Sequence, residues 1–282
     1  MSLATRMPAM AGLALALAAL ALAGTARAET VSVEEGGVKA VFSYLEQASG
    51  DLPYADLRLQ ISRGGTVYYE APVNSPRCPD GCVPDGIGGA PKGNGPLALA
   101  DLEHNGQPSV VLGISTGGAH CCSVVQVFSW DPATMTYTRS EHDFGDPGAR
   151  LAELSFEPVL ESADDRFAYV FAPFAWSALP LQVWRFGAGR FTNVTSAYPK
   201  AIAADAARLL EAFPAARREG EGNGIIAAWA ADEYELGHGR LVRHVLAREA
   251  AAGRLRSREH YAPSGRAFVK ALMRFLKRTG YR

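Results

Sequence analysis

Several features that mark common protein classes are scarce or absent in this sequence. Only 4 cysteines occur among 282 residues, and none of them stands directly after the apolar run at the amino terminus, so we do not expect a lipid-anchored form. No later segment has the length of a membrane span. The composition, 48% hydrophobic and 20% charged, has no bias toward disorder. We therefore expect a soluble globular protein of one large or two small domains.

The amino terminus has the three parts of a secretory signal peptide. Arg6 supplies a positive start, and residues 9–23 form an apolar run that is too short for a permanent anchor. Ala26 and Ala28 then give the small-x-small exit that a signal peptidase requires, which predicts cleavage before Glu29. The alternative is an uncleaved anchor. The sequence therefore predicts a signal peptide over residues 1–28 and a secreted or periplasmic mature protein.

Charge is distributed unevenly along the chain, although the net charge is only −1. Residues 29–198 contain 10 Lys and Arg against 20 Asp and Glu, a charge of −10, whereas residues 199–282 contain 16 against 9, a charge of +7. This shift predicts a domain boundary near Pro199. Either the acidic part and the basic part attract each other within one molecule, or the basic part meets an anionic partner.

The four cysteines form two close pairs, Cys78 with Cys82 and Cys121 with Cys122. An even number of cysteines outside the cytoplasm favours disulfides. Because a bond between adjacent cysteines strains the intervening peptide, we expect each member of the first pair to bond with a member of the second. The alternative is a zinc or copper site that also uses His120, but the two-residue spacing of metal-binding cysteines is absent.

Residues 38–195 alternate between strand patterns and turn residues. Three hairpins are predicted, at residues 57–69, 123–138 and 181–195. The last two share a Gln-Val step followed by aromatic residues, beginning at Gln126 and Gln182, which indicates an internal repeat of about fifty to sixty residues. Such a period is typical of propeller-like or arrayed β units.

A strand, an acidic loop and a second strand span Leu97–Leu112. This segment resembles the FG-GAP/VCBS type of β-repeat, in which an Asp-rich loop carries calcium. Together with Thr116–Cys122, which contains Gly-Gly-Ala-His-Cys-Cys, and Ser162–Tyr169, it is similar to uncharacterised secreted bacterial proteins with a β-repeat body and a helical end. The resemblance implies a partly open, propeller-like sheet assembly. It also implies a calcium site, whose ligands here would be Asp101, Glu103, Asn105 and Ser109. The alternative for this loop is a simple turn made by Asn105 and Gly106.

After Thr195 the pattern changes to helix, with segments predicted at residues 200–213, 225–236, 241–252 and 265–278. In the last segment an apolar face is formed by Phe268, Leu272, Phe275 and Leu276. A basic face is formed by Arg266, Lys270, Arg274 and Lys277. Since the two sets cannot share one face, we expect the apolar face to be buried and the basic face to be exposed.

One sequence motif suggests an enzyme. Gly113–Gly117 has the Gly-x-Ser-x-Gly spacing of a nucleophile elbow around Ser115, but a strand pattern follows it where an elbow needs a helix. The sequence thus predicts an α+β fold, with a β-repeat domain over residues 29–198 and a small all-α domain over residues 199–282. We expect a secreted, non-enzymatic binding protein, whose partner is an anionic surface polymer or another protein. The alternative function is a secreted hydrolase.

Overall fold

The computed structural model describes residues 26–47, 53–87, 93–257 and 261–281. Strands make up its first part: β1 (Arg27–Glu35), β2 (Val38–Glu46), β3 (Tyr54–Arg63), β4 (Thr66–Pro72), β5 (Val83–Pro84), β6 (Gly93–Asn94), β7 (Leu97–Ala100), β8 (Ser109–Gly118), β9 (Cys121–Asp131), β10 (Thr136–Asp143), β11 (Arg150–Leu154), β12 (Glu157–Ala163), β13 (Leu181–Gly187) and β14 (Arg190–Asn193). Helices follow: α1 (Pro199–Arg218), α2 (Gly222–Glu235), α3 (Gly239–Ala251) and α4 (Gly265–Thr279). The α+β class is confirmed.

The strands form three antiparallel sheets in chain order. The first sheet is β1-β2-β3-β4, the second is β10-β9-β8-β7-β6 with β5 beside the end of β8, and the third is β11-β12-β13-β14. The three predicted hairpins are β3–β4, β9–β10 and β13–β14. Gly64 and Gly65 make the first of these turns with φ angles of 53° and 85°, a left-handed conformation that a side chain would strain.

The second sheet is buried on both faces, and this explains its long apolar runs. Alternate residues of a strand point to opposite faces. In β8, Val110 and Leu112 pack into the core shared with the first sheet, whereas Val111 packs into the core shared with the third sheet. In the same way, Leu160 of β12 faces the second sheet, and its neighbour Val159 faces the helices. The three sheets are therefore stacked as layers.

The expected propeller-like arrangement is wrong. Val159 and Val183, on the outer face of the third sheet, pack against Tyr198 and Ala201 at the start of α1. Because a helix covers this face, the stack cannot curl back toward the first sheet, and the sheets do not form a ring. The strand alternation showed that sheets are present, but it does not encode how successive sheets turn relative to each other.

All four cysteines are in disulfides, but the expected cross pairing is wrong. Cys78 bonds with Cys82, and Cys121 bonds with Cys122. Cys78 and Cys82 are 6% and 3% exposed in the core between the first two sheets, while Cys121 lies exposed where β9 begins. A tight turn, in which the N–H of Gly81 donates to the carbonyl of Cys78, brings the first pair together locally.

Helix α1 is longer than the sequence predicted, because it continues through Pro214 to Arg218. A proline inside a helix removes one hydrogen bond and costs about 3 kcal/mol. Phe213 and Ala216, on either side of it, are both buried, and the burial of this face offsets the loss. The other three helices differ from the predicted bounds by three residues or fewer.

The helices share their core with part of the preceding chain. Phe167 and Phe171, from the loop between β12 and β13, pack among the buried residues of α1, α2 and α4. Secondary structure changes from strand to helix at Pro199. The division into two domains at that residue stays a prediction.

Most of the predicted signal peptide, residues 1–25, lies outside the described residues. The predicted cleavage point before Glu29 falls within β1, and Arg27 and Ala28 on its amino side are both exposed. Within the described ranges, none of the helices combines the length and the apolar character that a bilayer crossing requires.

Candidate ligand-binding groove

Helix α4 separates apolar and basic residues as its sequence predicts. Phe268 and Leu272 are completely buried, and Phe275 and Leu276 are 6% and 1% exposed. On the other side of the helix the four predicted basic residues are all exposed: Arg266, Lys270, Arg274 and Lys277. The expected orientation of the two faces is confirmed.

The ends of α4 are defined by two residues with non-helical backbone. Ser264 precedes the helix with φ −111° and ψ 160°, and its hydroxyl accepts the N–H of Ser257 instead of capping the helix. Gly280 ends the helix with φ 101°, a left-handed conformation for which glycine is the usual residue. This turn directs Tyr281 back toward the body of the protein, where it is buried.

A groove of about 620 Å³ runs beside α4. Its floor is apolar and is formed by Tyr234 of α2, together with Met273, Leu276 and Tyr281. Its rim is basic and is formed by Lys270, Arg274 and Lys277. The volume lies within the range of about 300–1,000 Å³ that small-molecule sites occupy. Three of the four predicted basic residues therefore line one concave site, while Arg266 lies outside it.

Tyr281 is held in place as part of the floor of this groove. Its hydroxyl donates to the Asp164 carboxylate over 2.9 Å, and Arg166 donates to the carbonyl of Thr279 over 3.1 Å. Burial and then the charge of Asp164 raise the pKa of Tyr281, so its hydroxyl stays protonated. These contacts fix the carboxyl end of α4 to the loop after β12.

A further basic residue lies near the groove without lining it. Arg243 of α3 is exposed, and its guanidinium lies 3.4 Å from the hydroxyl of Tyr234. By contrast, the three rim residues make no ion pair or hydrogen bond with any residue that the structure describes. The rim therefore presents positive charge that the described residues do not neutralise.

The predicted calcium loop lies elsewhere, between β7 and β8. Both carboxylate oxygens of Asp101 accept backbone N–H groups, from Asn105 over 3.0 Å and from Gly106 over 2.9 Å. The Asn105 side chain accepts the N–H of Gln107, and Ser109 is buried at the start of β8. Hydrogen bonds within the loop therefore close it as an Asx-type turn. A calcium site formed by Asp101, Glu103, Asn105 and Ser109 stays a prediction.

A second cavity, of about 480 Å³, lies beside the Cys121–Cys122 disulfide. Burial lowers the pKa of His142 there, which keeps its imidazole neutral. Burial, together with the charges of Asp146, Asp143 and Asp164, raises the pKa of Asp165. His120 packs on the ring of Phe174, with centroids 4.0 Å apart, instead of approaching the cysteines as a metal ligand. Within the described residues, no group of three or more His, Cys, Asp or Glu side chains is placed to hold a metal ion.

Ser115, the candidate nucleophile, lies inside strand β8 and not on an elbow. Its backbone pairs with Val83 and Ser123, and its hydroxyl accepts the N–H of Gly117. Among the described residues no histidine bonds with it. A hydrolase would also need a histidine as base, and His238, which is one possibility, is bonded to Glu233 at the end of α2 over 2.7 Å. The strand that the sequence predicted after Ser115 is confirmed.

Sequence reasoning identified the basic rim but missed the floor of the groove. Tyr234 lies 36 residues before Lys270 along the chain, so no local period could connect them. Met273 belongs to neither the apolar face nor the basic face of α4, and Tyr281 follows the end of the helix. The only sequence signal for Tyr281 is Gly280, which marks the point where the chain turns.

Comparison with known proteins gives a partial match. No family model matches the chain, and no solved structure matches it. The chain is 28% identical over 149 residues to the probable thylakoid lumen protein sll0997 of Synechocystis sp. (strain ATCC 27184 / PCC 6803 / Kazusa). That match covers 50% of this chain and 44% of the relative, so less than half the length of the relative is represented. The resemblance to FG-GAP/VCBS repeats stays a prediction.

Proposed function

We propose that this chain is an exported, non-enzymatic binding protein whose last helix presents a surface for an anionic partner. The observation that carries the proposal is the basic face of α4. Its four basic side chains are exposed, and none has an ion pair or hydrogen bond among the residues that the structure describes.

The spacing of these residues adds a physical reason. Arg266, Lys270 and Arg274 follow each other at intervals of four residues, so like charges lie side by side on the helix. Each such pair destabilises a helix by about 0.2–0.5 kcal/mol. An anionic partner would convert this repulsion into attraction, whereas a purely structural role gives no reason to group the charges.

Two further observations support an extracytoplasmic location. The amino-terminal 28 residues have the pattern of a cleavable signal peptide. The relative that the chain resembles bears a name that assigns that protein to the thylakoid lumen. We extend an extracytoplasmic location to this chain, as a secreted or periplasmic protein. We propose an anionic surface polymer as its partner in that compartment, in preference to another protein.

Salt-dependent binding to a soluble polyanion tests the proposal. Polyglutamate and polyphosphate are the probes, and binding is measured by fluorescence anisotropy between 50 and 300 mM salt. We expect binding that weakens as salt screens the charges. Replacing Arg266, Lys270, Arg274 and Lys277 by Gln should abolish it and leave the melting temperature nearly unchanged.

A variant of equal charge provides the control. Four exposed basic residues outside α4 are replaced by Gln: Lys39, Arg190, Lys200 and Arg218. This control should retain most of the binding, because the net charge is the same but the face is intact. Equal losses in both variants would show that net charge alone determines binding, and absence of binding to either polyanion at low salt would contradict the proposal.

A further inference from the structure

The groove beside α4 combines an apolar surface with positive charge, whereas a simple polyanion would interact only with the charge. Its floor is made of apolar side chains, and its rim carries the positive charges of Lys270, Arg274 and Lys277. A ligand with charge alone would leave the accessible part of the floor, chiefly the half-buried Met273, in contact with water. A ligand that carries both an aliphatic chain and an anionic group would bury the floor and neutralise the rim.

We propose that this groove binds the carboxylate form of a long-chain fatty acid, with the chain along the floor and the carboxylate at the rim. The inference rests on the proposed anion-binding function of α4 and adds a small-molecule ligand at one flank of the same helix. The rim residues span seven positions of α4, about 10 Å along the helix axis. One carboxylate can therefore reach two of them while its chain follows the groove.

Arg274 occupies the middle of the rim, between Lys270 and Lys277. Its planar guanidinium can hold a carboxylate through two parallel hydrogen bonds, and the two lysines supply additional point charges. Outside the groove lining, the guanidinium of Arg243 donates to the hydroxyl of Tyr234 over 3.4 Å. The charge of the groove is thus complementary to a single anionic head group.

The packing of α4 argues against insertion into a bilayer. An amphipathic helix that binds a membrane places its apolar residues in the lipid. Here Phe268, Leu272 and Phe275 are used in the protein core and are at most 6% exposed. Only a groove at the flank of the helix remains available, so the structure favours the capture of one molecule over adsorption to a lipid surface.

The helix dipole does not explain the rim. Cations near the end of a helix stabilise the partial negative charge of its last turn, and Lys277 and Arg278 occupy that position. Lys270 lies two turns earlier, where this effect has decayed. Its place on the rim therefore calls for another partner.

Hexadecanoate, below its aggregation concentration, is the probe of the test. Binding is measured by isothermal titration with the full protein, beside hexadecanol, which has the chain without the charge, and polyglutamate, which has the charge without the chain. We expect hexadecanoate to bind and to protect the protein from thermal unfolding. The K270Q/R274Q/K277Q variant should lose about 10–100-fold in affinity, the equivalent of one charge-assisted hydrogen bond.

Two further variants separate the groove from the basic face. R266Q removes an exposed cation of the same helix that does not line the groove, and it should leave hexadecanoate affinity unchanged. Met273→Gln keeps the size of a floor residue but makes it polar, and it should weaken hexadecanoate binding while leaving polyglutamate binding intact. Melting curves establish that each variant is folded.

The outcomes distinguish the inference from the proposed function. Polyglutamate binding without hexadecanoate binding would overturn the inference and leave the proposed function standing. Absence of binding to both ligands would overturn both. Hexadecanoate binding that Met273→Gln and the triple variant leave unchanged would show that the ligand binds elsewhere, which also overturns the inference.

Discussion

Two clusters of basic residues in the helical part of the molecule have opposite surroundings. Arg217, Arg248 and Arg254 converge on the carboxylate of Glu249, with nitrogen–oxygen distances of 3.1, 3.3 and 2.7 Å. Glu249 is only 3% exposed. On α4 the cations of the groove rim face no carboxylate among the described residues. The first cluster contains its own counter-ion, and the second does not.

The positive charge of residues 199–282 is therefore placed in two different environments. Burial raises the pKa of Glu249, but the hydrogen bonds and charges of Arg254 and Arg217 outweigh it, so the pKa is lowered overall. That carboxylate holds helices α1 and α3 together as an ionised group. The basic side chains of the α4 rim form no comparable ion pair with the residues that the structure describes.

Removal of the central carboxylate is the most severe test of the comparison. Glu249→Gln leaves three partly exposed guanidinium groups around a neutral side chain, and the lost hydrogen bonds to a charged carboxylate cost about 3 kcal/mol. Urea unfolding should show this loss, while polyglutamate binding by the folded fraction stays unchanged. Arg248→Gln is the matched control, because its partner distance is the longest and its side chain is 61% exposed. A loss below that of the control would contradict a structural role for Glu249.

The hydrogen bond from the neutral Tyr281 hydroxyl to Asp164 can be compared with the ion pair between Arg217 of α1 and Glu249 of α3. Tyr281→Phe keeps the ring in the groove floor but removes the hydroxyl that donates to Asp164 over 2.9 Å. A hydrogen bond to a charged group contributes about 1.5–3 kcal/mol, and the free energy of unfolding should fall by that amount. Tyr261→Phe removes an exposed hydroxyl bonded to a backbone carbonyl and serves as the control. Equal effects would refute the special role of Asp164.

The pKa of Asp232 is shifted in the opposite direction to that of Glu249. Asp232 of α2 is 1% exposed, and burial followed by the charge of Asp205 raises its pKa to about 9. Atom Oδ2 of each of these two residues is buried and receives no N–H or O–H donor from the described residues. A proton shared between the two carboxyl groups satisfies both. Glu249 is ionised beside three cations, whereas Asp232 keeps its proton beside another acid.

The sign of the pH dependence follows from this raised pKa. Above pH 4 the unfolded chain loses the Asp232 proton but the folded protein retains it, so stability falls as pH rises toward 9, by up to about 1.4 kcal/mol per unit. Asp232→Asn should remove this slope. Urea unfolding at pH 6, 7 and 8 measures it, with Asp131→Asn, on the exposed β9–β10 turn, as the control. Parallel pH profiles for the wild type and Asp232→Asn would disprove the shared proton.

The smallest effect on stability is expected at the groove rim. Exchange of Lys270, Arg274 and Lys277 for Gln should change the free energy of unfolding by less than about 0.5 kcal/mol, because exposed and unpaired side chains contribute little. A slight gain is consistent with relief of like-charge repulsion. A loss near that of Glu249→Gln would mean that the rim is part of the fold and would remove the contrast between the two clusters.

Local patterns in the sequence predict a structural feature correctly where a single helix or turn determines that feature. The turn at Gly64 and Gly65 and the two faces of α4 follow from periods of two and 3.6 residues. Features that depend on distant contacts were not accessible. Pro214 predicted the end of α1, but the burial of Phe213 and Ala216 in a core built by other helices carries the helix past it.

The groove and the cysteine pairing also show that features formed by distant contacts are not accessible from local patterns. The rim of the groove lies on one helix and was found, whereas Tyr234 comes from another helix and was missed. For the cysteines, strain in the peptide between neighbouring residues argues for cross pairing. The sequence does not show that Cys78 is buried in a core while Cys121 lies exposed at the start of β9. The stacking of the sheets, finally, depends on the helix that covers Val159 and Val183.

The order of the layers has a consequence for how the chain is made. The first sheet, the second sheet, the third sheet and the helices follow each other in space in the same order as along the sequence. Nearly all strand pairs join consecutive strands, so folding requires few distant encounters. If the protein is exported as we propose, a chain that leaves the export channel from its amino terminus can add each layer to the one already outside. Helix α4, which carries the groove, is the last of the described elements to emerge.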